Sequence, residues 1–161
     1  MKTLFLIRHA KSSRDDPSLP DRNRPLNDRG LHDAPMMGRR LGRSGVKPDL
    51  LVSSPALRAL TTAQLVADAI GYPREDIAIE DSIYESSPER LLAIIRGLDG
   101  KLDCVMVFGH NPEFAGLAHR LAPEITEMPT CAVAELHFDT NAWTDIGVLD
   151  PAKVKLDTPK K

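Results

Sequence analysis

The stretch Lys2–Ser13, KTLFLIRHAKSS, joins an unbroken apolar run, Leu4–Ile7, to three residues that can carry positive charge, Arg8, His9 and Lys11. A continuous rather than alternating run predicts a strand covered on both faces, as in a parallel sheet flanked by helices. Such a strand can end in any polar residue. Here it carries Arg8 and His9 to its last positions, and that choice raises the question of what they meet there.

The rest of the chain alternates the same way. Residues 9–26 read as a polar loop, and Asn27 as the N-cap of a helix to about Ser44, stopped by Gly45. Asp49–Ser53 reads as a second strand. Ser54 is expected to cap the next helix, with Pro55 at its first position, an apolar face of Leu57, Leu60, Thr61, Leu65 and Ala69, and Gly71 at its end. Asp76–Glu80 is a third strand. Ser87 and Pro88 open a helix through Leu91, Leu92, Ile94 and Ile95. Cys104–Phe108 is a fourth strand, Asn111 and Pro112 open a helix to about Leu121, Ala132–Phe138 is a fifth strand, and Val154–Leu156 an edge strand. This alternation predicts an α/β protein, a three-layer α/β/α sandwich on a mostly parallel central sheet. With no internal repeat and no linker, the 161 residues are expected to form a single domain, 1–161.

Composition narrows the partners. A net charge of −2 gives no general affinity for nucleic acid or membrane surfaces. No run approaches the roughly 18 apolar residues of a membrane span, and Leu4–Ile7 is too short for a secretory signal, so a cytoplasmic location is expected. Cys104 and Cys131 lack motif spacing, and Cys104 reads as a reduced core residue. No histidine forms a short metal-ligand pair, so no metal or cofactor is expected. Charge is unevenly placed: residues 1–60 hold 12 Lys/Arg against 6 Asp/Glu, and the remainder 9 against 17. That fits either a localised anion site or clustering on solvated helix faces.

In open α/β sheets, ligands bind beyond the carboxyl ends of the strands. That edge would collect Arg8 and His9 after the first strand, Arg58 on the helix after the second, Glu85 after the third and His110 after the fourth. Two Arg and two His converging without an anion would repel one another and lose hydration. A phosphoryl group supplies the charge, Arg matches its oxygens bidentately, helix N-termini after Ser54 and Asn111 could add N–H donors, and a neutral imidazole is a nucleophile at phosphorus. Each residue alone also has a bland reading, as strand-end punctuation or solvated side chain.

Three segments carry a family resemblance over nearly the whole chain. LIRHAKS resembles the Arg-His signature of the histidine phosphatase superfamily, the phosphoglycerate-mutase-like fold; SSPALRALTTA resembles its second Arg segment and VFGHNP its second His segment. RHAKSS, DRNRPLNDRG and the small size are similar to the SixA-like phosphohistidine phosphatase branch. The resemblance implies that His9 is the nucleophile that becomes phosphohistidine, and that Arg8, Arg58 and His110 hold the phosphoryl oxygens. Glu85, in IYESS, is the candidate proton donor, or else a solvated loop carboxylate. Lys11 and Asn111 are candidate outer contacts; Arg22 and Arg24 read as outer contacts or as solvated loop. Short connections leave no lid domain, which suits a phosphorylated side chain on another protein. The expected activity is a phosphatase acting on phosphohistidine in a protein. The alternatives are a phosphatase of a small phosphorylated metabolite and a phosphate-binding regulatory module without turnover.

Overall fold

The computed structural model describes residues 1–160. The first strand, β1, is Lys2–Arg8, with Leu4–Ile7 fully buried. Successive side chains of a strand point to opposite faces. Leu4 and Leu6 accordingly join the core that contains Leu91, Leu92, Phe114 and Leu117, while Phe5 and Ile7 join the core that contains Met37, Ala63 and Val66. A strand apolar on both sides therefore holds two helical layers apart.

The elements that follow are α1 (Asp28–Arg43), β2 (Leu50–Ser53), α2 (Leu57–Ile70), β3 (Ala78–Ile79), α3 (Pro88–Arg96), β4 (Cys104–Gly109), α4 (Glu113–Leu121), β5 (Val133–Phe138) and β6 (Lys153–Asp157). The six strands form one sheet in the order β3-β2-β4-β1-β5-β6. The pairs β1–β4, β2–β4 and β2–β3 are parallel, and β1–β5 and β5–β6 are antiparallel. Helices α1 and α2 cover one face, and α3 and α4 the other, so the sheet is the middle of an α/β/α sandwich. Register sets the functional edge: Arg8 pairs with Gly109 and Ser53 with Phe108, so β1, β2 and β4 end side by side. At the opposite end Lys2, 1% exposed, donates all three ammonium protons, to Gly100 O (2.6 Å), Leu102 O (2.8 Å) and Asp103 Oδ1 (2.9 Å).

Local signals act as expected at several ends. Asn27 accepts the Gly30 N–H at 2.9 Å and Ser87 the Arg90 N–H at 3.1 Å. Gly71 closes α2 with φ +79°. The start of α2 differs: it begins at Leu57, and Ser54 accepts the Ala56 N–H in the approach to the helix (3.2 Å) while its hydroxyl meets His110. Its buried face differs too. Leu57 is 42% exposed, and the buried positions are Arg58, Ala59, Thr62, Ala63, Val66 and Ala67. The cause is close packing on α1, where a Cβ on Gly38 would stand 2.8 Å from Ala69 Cβ and 3.1 Å from Val66 Cα. Strand β3 shrinks to two exposed residues at the sheet edge. Cys104 is half-buried and Cys131 buried, both as free thiols. Among the described residues no helix is long and apolar enough to cross a membrane.

Gly109 ends β4 where a side chain has no room: a Cβ would lie 2.3 Å from the Phe114 ring and 2.9 Å from Ile83 Cγ2. Gly109→Ala should destabilise the fold by about 1–3 kcal/mol, the usual range for overpacking. Urea unfolding of both proteins measures it, and the midpoint should fall with an unchanged slope.

Candidate active site

His9 follows β1 directly, and its main chain is held on both sides. Its N–H donates to Gly109 O at 3.0 Å, and its carbonyl accepts the Cys131 N–H at 3.0 Å. The ring Nδ1 lies 2.7 Å from Ala10 O. A carbonyl can only accept, so Nδ1 carries the proton and the lone pair sits on Nε2. The Ala10 N–H donates to Thr62 Oγ1 (3.0 Å), whose hydroxyl donates to Arg58 O (2.8 Å). Wholly buried Thr62 thus joins the peptide that orients His9 to the first turn of α2.

Burial, with the Arg58 and Arg8 charges adding to it, lowers the His9 pKa to about 4. Burial first, then His9 and Arg58, lowers that of His110 to about 3. Both rings are therefore neutral at pH 7. They lie 5.3 Å apart, centroid to centroid. His110 Nε2 is 2.8 Å from Ser54 Oγ. The same Ser54 oxygen accepts the Ala56 N–H. The other ring nitrogen of His110, Nδ1, is buried and has no partner.

The two guanidinium groups repeat that pattern. Arg58 donates through Nη1 to Asp21 O (2.8 Å) and through Nη2 to Asp21 Oδ2 (3.0 Å), but its buried Nε has no partner. Arg8 donates through Nη1 to Met128 O (3.1 Å), and its buried Nε is likewise unpartnered. Buried polar atoms without a partner are rare in folded proteins. These three belong to residues that line, with His9, one cavity of about 510 Å³. An anion with several acceptor oxygens is what they lack.

The structure brings Arg8, His9, Arg58 and His110 together, with Lys11 and Asn111 on the same wall. Both ends of the Asn111 amide are engaged by the protein, Nδ2 by Met128 O and Oδ1 by the Ala115 N–H. Arg24 lines the cavity, and Arg22 sits 5.3 Å over the Tyr84 ring. Glu85 lies in an exposed turn at φ +52°, outside the lining residues.

Asp21, Ser54, Thr62 and Tyr84 were not singled out by the sequence for these roles. The Asp21 carboxylate accepts from Tyr84 Oη (2.6 Å), Arg24 Nε (3.0 Å) and Arg58 Nη2 (3.0 Å). The Tyr84 bond first, then the two arginines, holds its pKa well below the usual carboxylate range. One signal for Thr62 was available: a hydroxyl on a helix face otherwise built of Ala and Val.

Two neutral histidines thus lie between two guanidinium groups at the carboxyl edge of an α/β/α sheet. The chain belongs to the histidine phosphatase superfamily, branch 1, whose sequence profile matches residues 4–93. A chloroplastic protein of Arabidopsis thaliana is 31% identical over 165 residues, covering 97% of this chain and 76% of its own. Among solved structures, a protein assigned as phosphohistidine phosphatase SixA from Agrobacterium tumefaciens superposes with TM-score 0.77 at 28% identity, over 84% of this chain and 90% of its own. The protein histidine phosphatase SixA complexed with tungstate superposes with TM-score 0.78 at 22% identity, over 97% and 94%. The fold is SixA-like.

Thr62→Val keeps the shape and removes the hydroxyl, leaving the buried Ala10 N–H unpaired. It should cost about 1–3 kcal/mol in stability and lower kcat with little change in KM, and Thr62→Ser should recover most of both. Urea titrations and steady-state kinetics on the three proteins read this out. The histidines also set a pH dependence. Their folded pKa values of about 4 and about 3 lie below the ordinary 6.5. The unfolded chain therefore takes up protons first, so their contribution is whole above pH 6.5 and declines as pH falls toward 4 and below. Stability measured against pH should show that decline, and a His9→Gln, His110→Gln double variant a shallower one.

Proposed function

We propose that this protein is a cytoplasmic phosphohistidine phosphatase, which takes a phosphoryl group from a histidine side chain of another protein onto His9 and passes it to water. The observation that carries this reading is that Arg8, Arg58 and His110 line one cavity with His9, while Arg8 Nε, Arg58 Nε and His110 Nδ1 are buried without a partner. A phosphoryl group in transfer spreads its charge over three equatorial oxygens, and catalysis is then chiefly positioning and charge stabilisation. Two fixed guanidinium groups beside the His110 ring suit that load.

In the first step the His9 Nε2 lone pair forms a bond to phosphorus, and the bond to the leaving group breaks with its electron pair going to that group. The ring becomes cationic, and Ala10 O, holding Nδ1–H at 2.7 Å, stabilises the charge. In the second step water attacks phosphorus, the P–Nε2 pair returns to His9, and a proton passes from the water to the released phosphate or solvent. Neither step requires a metal in this reading, because the fixed guanidinium cations neutralise the phosphoryl charge. Among the described residues no group of three or more His, Cys, Asp and Glu is placed to hold one.

The phosphohistidine substrate is favoured by leaving-group chemistry. A ring already protonated on its far nitrogen departs neutral, so no acid at the scissile bond is needed, and exposed Glu85 has no required part. The rim carries exposed Lys11, Arg14 and Asp15, which leaves room for a side chain presented by a protein. The 28% identity to the protein assigned as SixA points the same way. A mycobacterial glucosyl-3-phosphoglycerate phosphatase shares the fold with TM-score 0.67, at 16% identity.

The test is turnover on phosphohistidine peptides, an aryl phosphate and a panel of small phosphate esters, with excess chelator in parallel. The peptide should be preferred, chelator should have no effect, and His9→Ala should abolish both turnover and acid-labile labelling of the protein. Arg58→Ala should lower kcat by about 10²–10³, the usual loss for one donor in a preorganised anion site. Preference for a small ester would replace the substrate, and labelling that survives His9→Ala would move the nucleophile elsewhere.

A further inference from the structure

Asp21 stands out among the cavity residues because it is a carboxylate where the bound group is an anion. It lines the cavity with His9, Arg58 and His110. Its side chain is 53% exposed, so it faces solvent rather than the protein interior. A carboxylate offers about four acceptor positions. Three are taken, by Tyr84 Oη and Arg58 Nη2 on Oδ2 and by Arg24 Nε on Oδ1. Oδ1 thus has room for one more donor. The same bonds keep the group ionised, because each favours the charged form.

The Arg58 and Arg24 guanidinium groups offset its charge, but the open position on Oδ1 is an acceptor that an anionic remainder cannot use. It favours one whose remainder is cationic and carries an N–H. A phosphorylated imidazole protonated on its far nitrogen is such a group, and the Tyr84 ring, 5.7 Å from that of His110, adds an aromatic surface nearby. We propose that Asp21 is the specificity-determining residue for the leaving group, accepting a hydrogen bond from the cationic nitrogen of a phosphoramidate-type substrate and keeping that nitrogen protonated during transfer. The inference rests on the phosphohistidine reading and names the residue that would enforce it.

The chemistry balances with a proton from water. Solvent protonates the far nitrogen of the phosphorylated ring, and Asp21 accepts the resulting N–H. His9 Nε2 bonds to phosphorus, the P–N bond breaks with its electron pair going to the ring nitrogen, and the ring leaves neutral with the proton still on its far nitrogen. Asp21 gains no proton in the cycle. The arrangement explains how a site with no acid beside the scissile bond can expel imidazole. It also gives the Arg24 and Tyr84 contacts a purpose, since they hold the carboxylate at the cavity wall.

The experiment compares Asp21→Asn and Asp21→Glu with wild type on a phosphohistidine peptide, on phosphoramidate and on 4-nitrophenyl phosphate, whose leaving group departs without a proton. The Asn variant should lose about 10- to 100-fold more kcat/KM on the two P–N substrates than on the aryl ester, the range set by one charge-assisted hydrogen bond. The Glu variant should retain the preference. Because Asp21 favours the protonated ring, the alkaline limb of kcat on the peptide should lie at higher pH in wild type than in the Asn variant, with no such shift on the aryl ester. Equal losses on all three substrates would overturn the inference and leave Asp21 as a support for Arg58. If wild type cleaves phosphoramidate but not the peptide, the protein-substrate reading fails, while the selective loss on phosphoramidate still supports the role of Asp21. Cleavage of the aryl ester alone by wild type would overturn both.

Discussion

The structure depends on keeping two imidazoles neutral between two guanidinium groups. Each of the four is at least half out of water, and three of them keep a buried nitrogen with no partner. Desolvation acts on the charged form of a base, so the rings give up their protons while the guanidinium groups, far more basic, do not. The result is a pair of neutral imidazoles at pH 7 beside a fixed positive charge. A small α/β domain achieves this by ending three parallel strands at one level and using the next residues of each.

Polar contacts then sort themselves around that constraint. One polar contact fixes a tautomer and the other fixes a position: Ala10 O holds the proton of His9 on Nδ1, and Ser54 anchors Nε2 of His110. Thr62 links the first of these contacts to the helix that carries Arg58. Asp21 neutralises part of the guanidinium charge without displacing the buried Nε. The site is thus polar on all sides, and the three residues with an unpartnered buried nitrogen all line the one cavity.

Much of this was legible in the sequence, and the illegible part has a common cause. Strands β1 and β4 announce themselves because burial on both faces leaves nothing but apolar residues. The strand-end rule then picks out Arg8, His9, Arg58 and His110. Strand β3 was overread because Ala78 and Ile79 are both exposed at an edge, where no burial pattern marks the limits. The face of α2 was misread because small residues, not large ones, meet Gly38 across the helix pair. Asp21 was missed because its meaning is set 37 residues away at Arg58 and 63 residues away at Tyr84. Periodicity reports local burial; it carries no information on which distant donors share a carboxylate.

The ammonium of Lys2 has a mechanical consequence for the other end of its strand. Its three bonds fasten the amino end of β1 to the Gly100–Asp103 turn, and the bonds from Gly109 and Cys131 fasten the residue just past its carboxyl end. Between these anchors the ladder runs without a break on both sides. The strand is a strut clamped at both ends. His9 therefore sits at the end of a segment bonded along its whole length, so its ring is positioned by the sheet and not by a free loop.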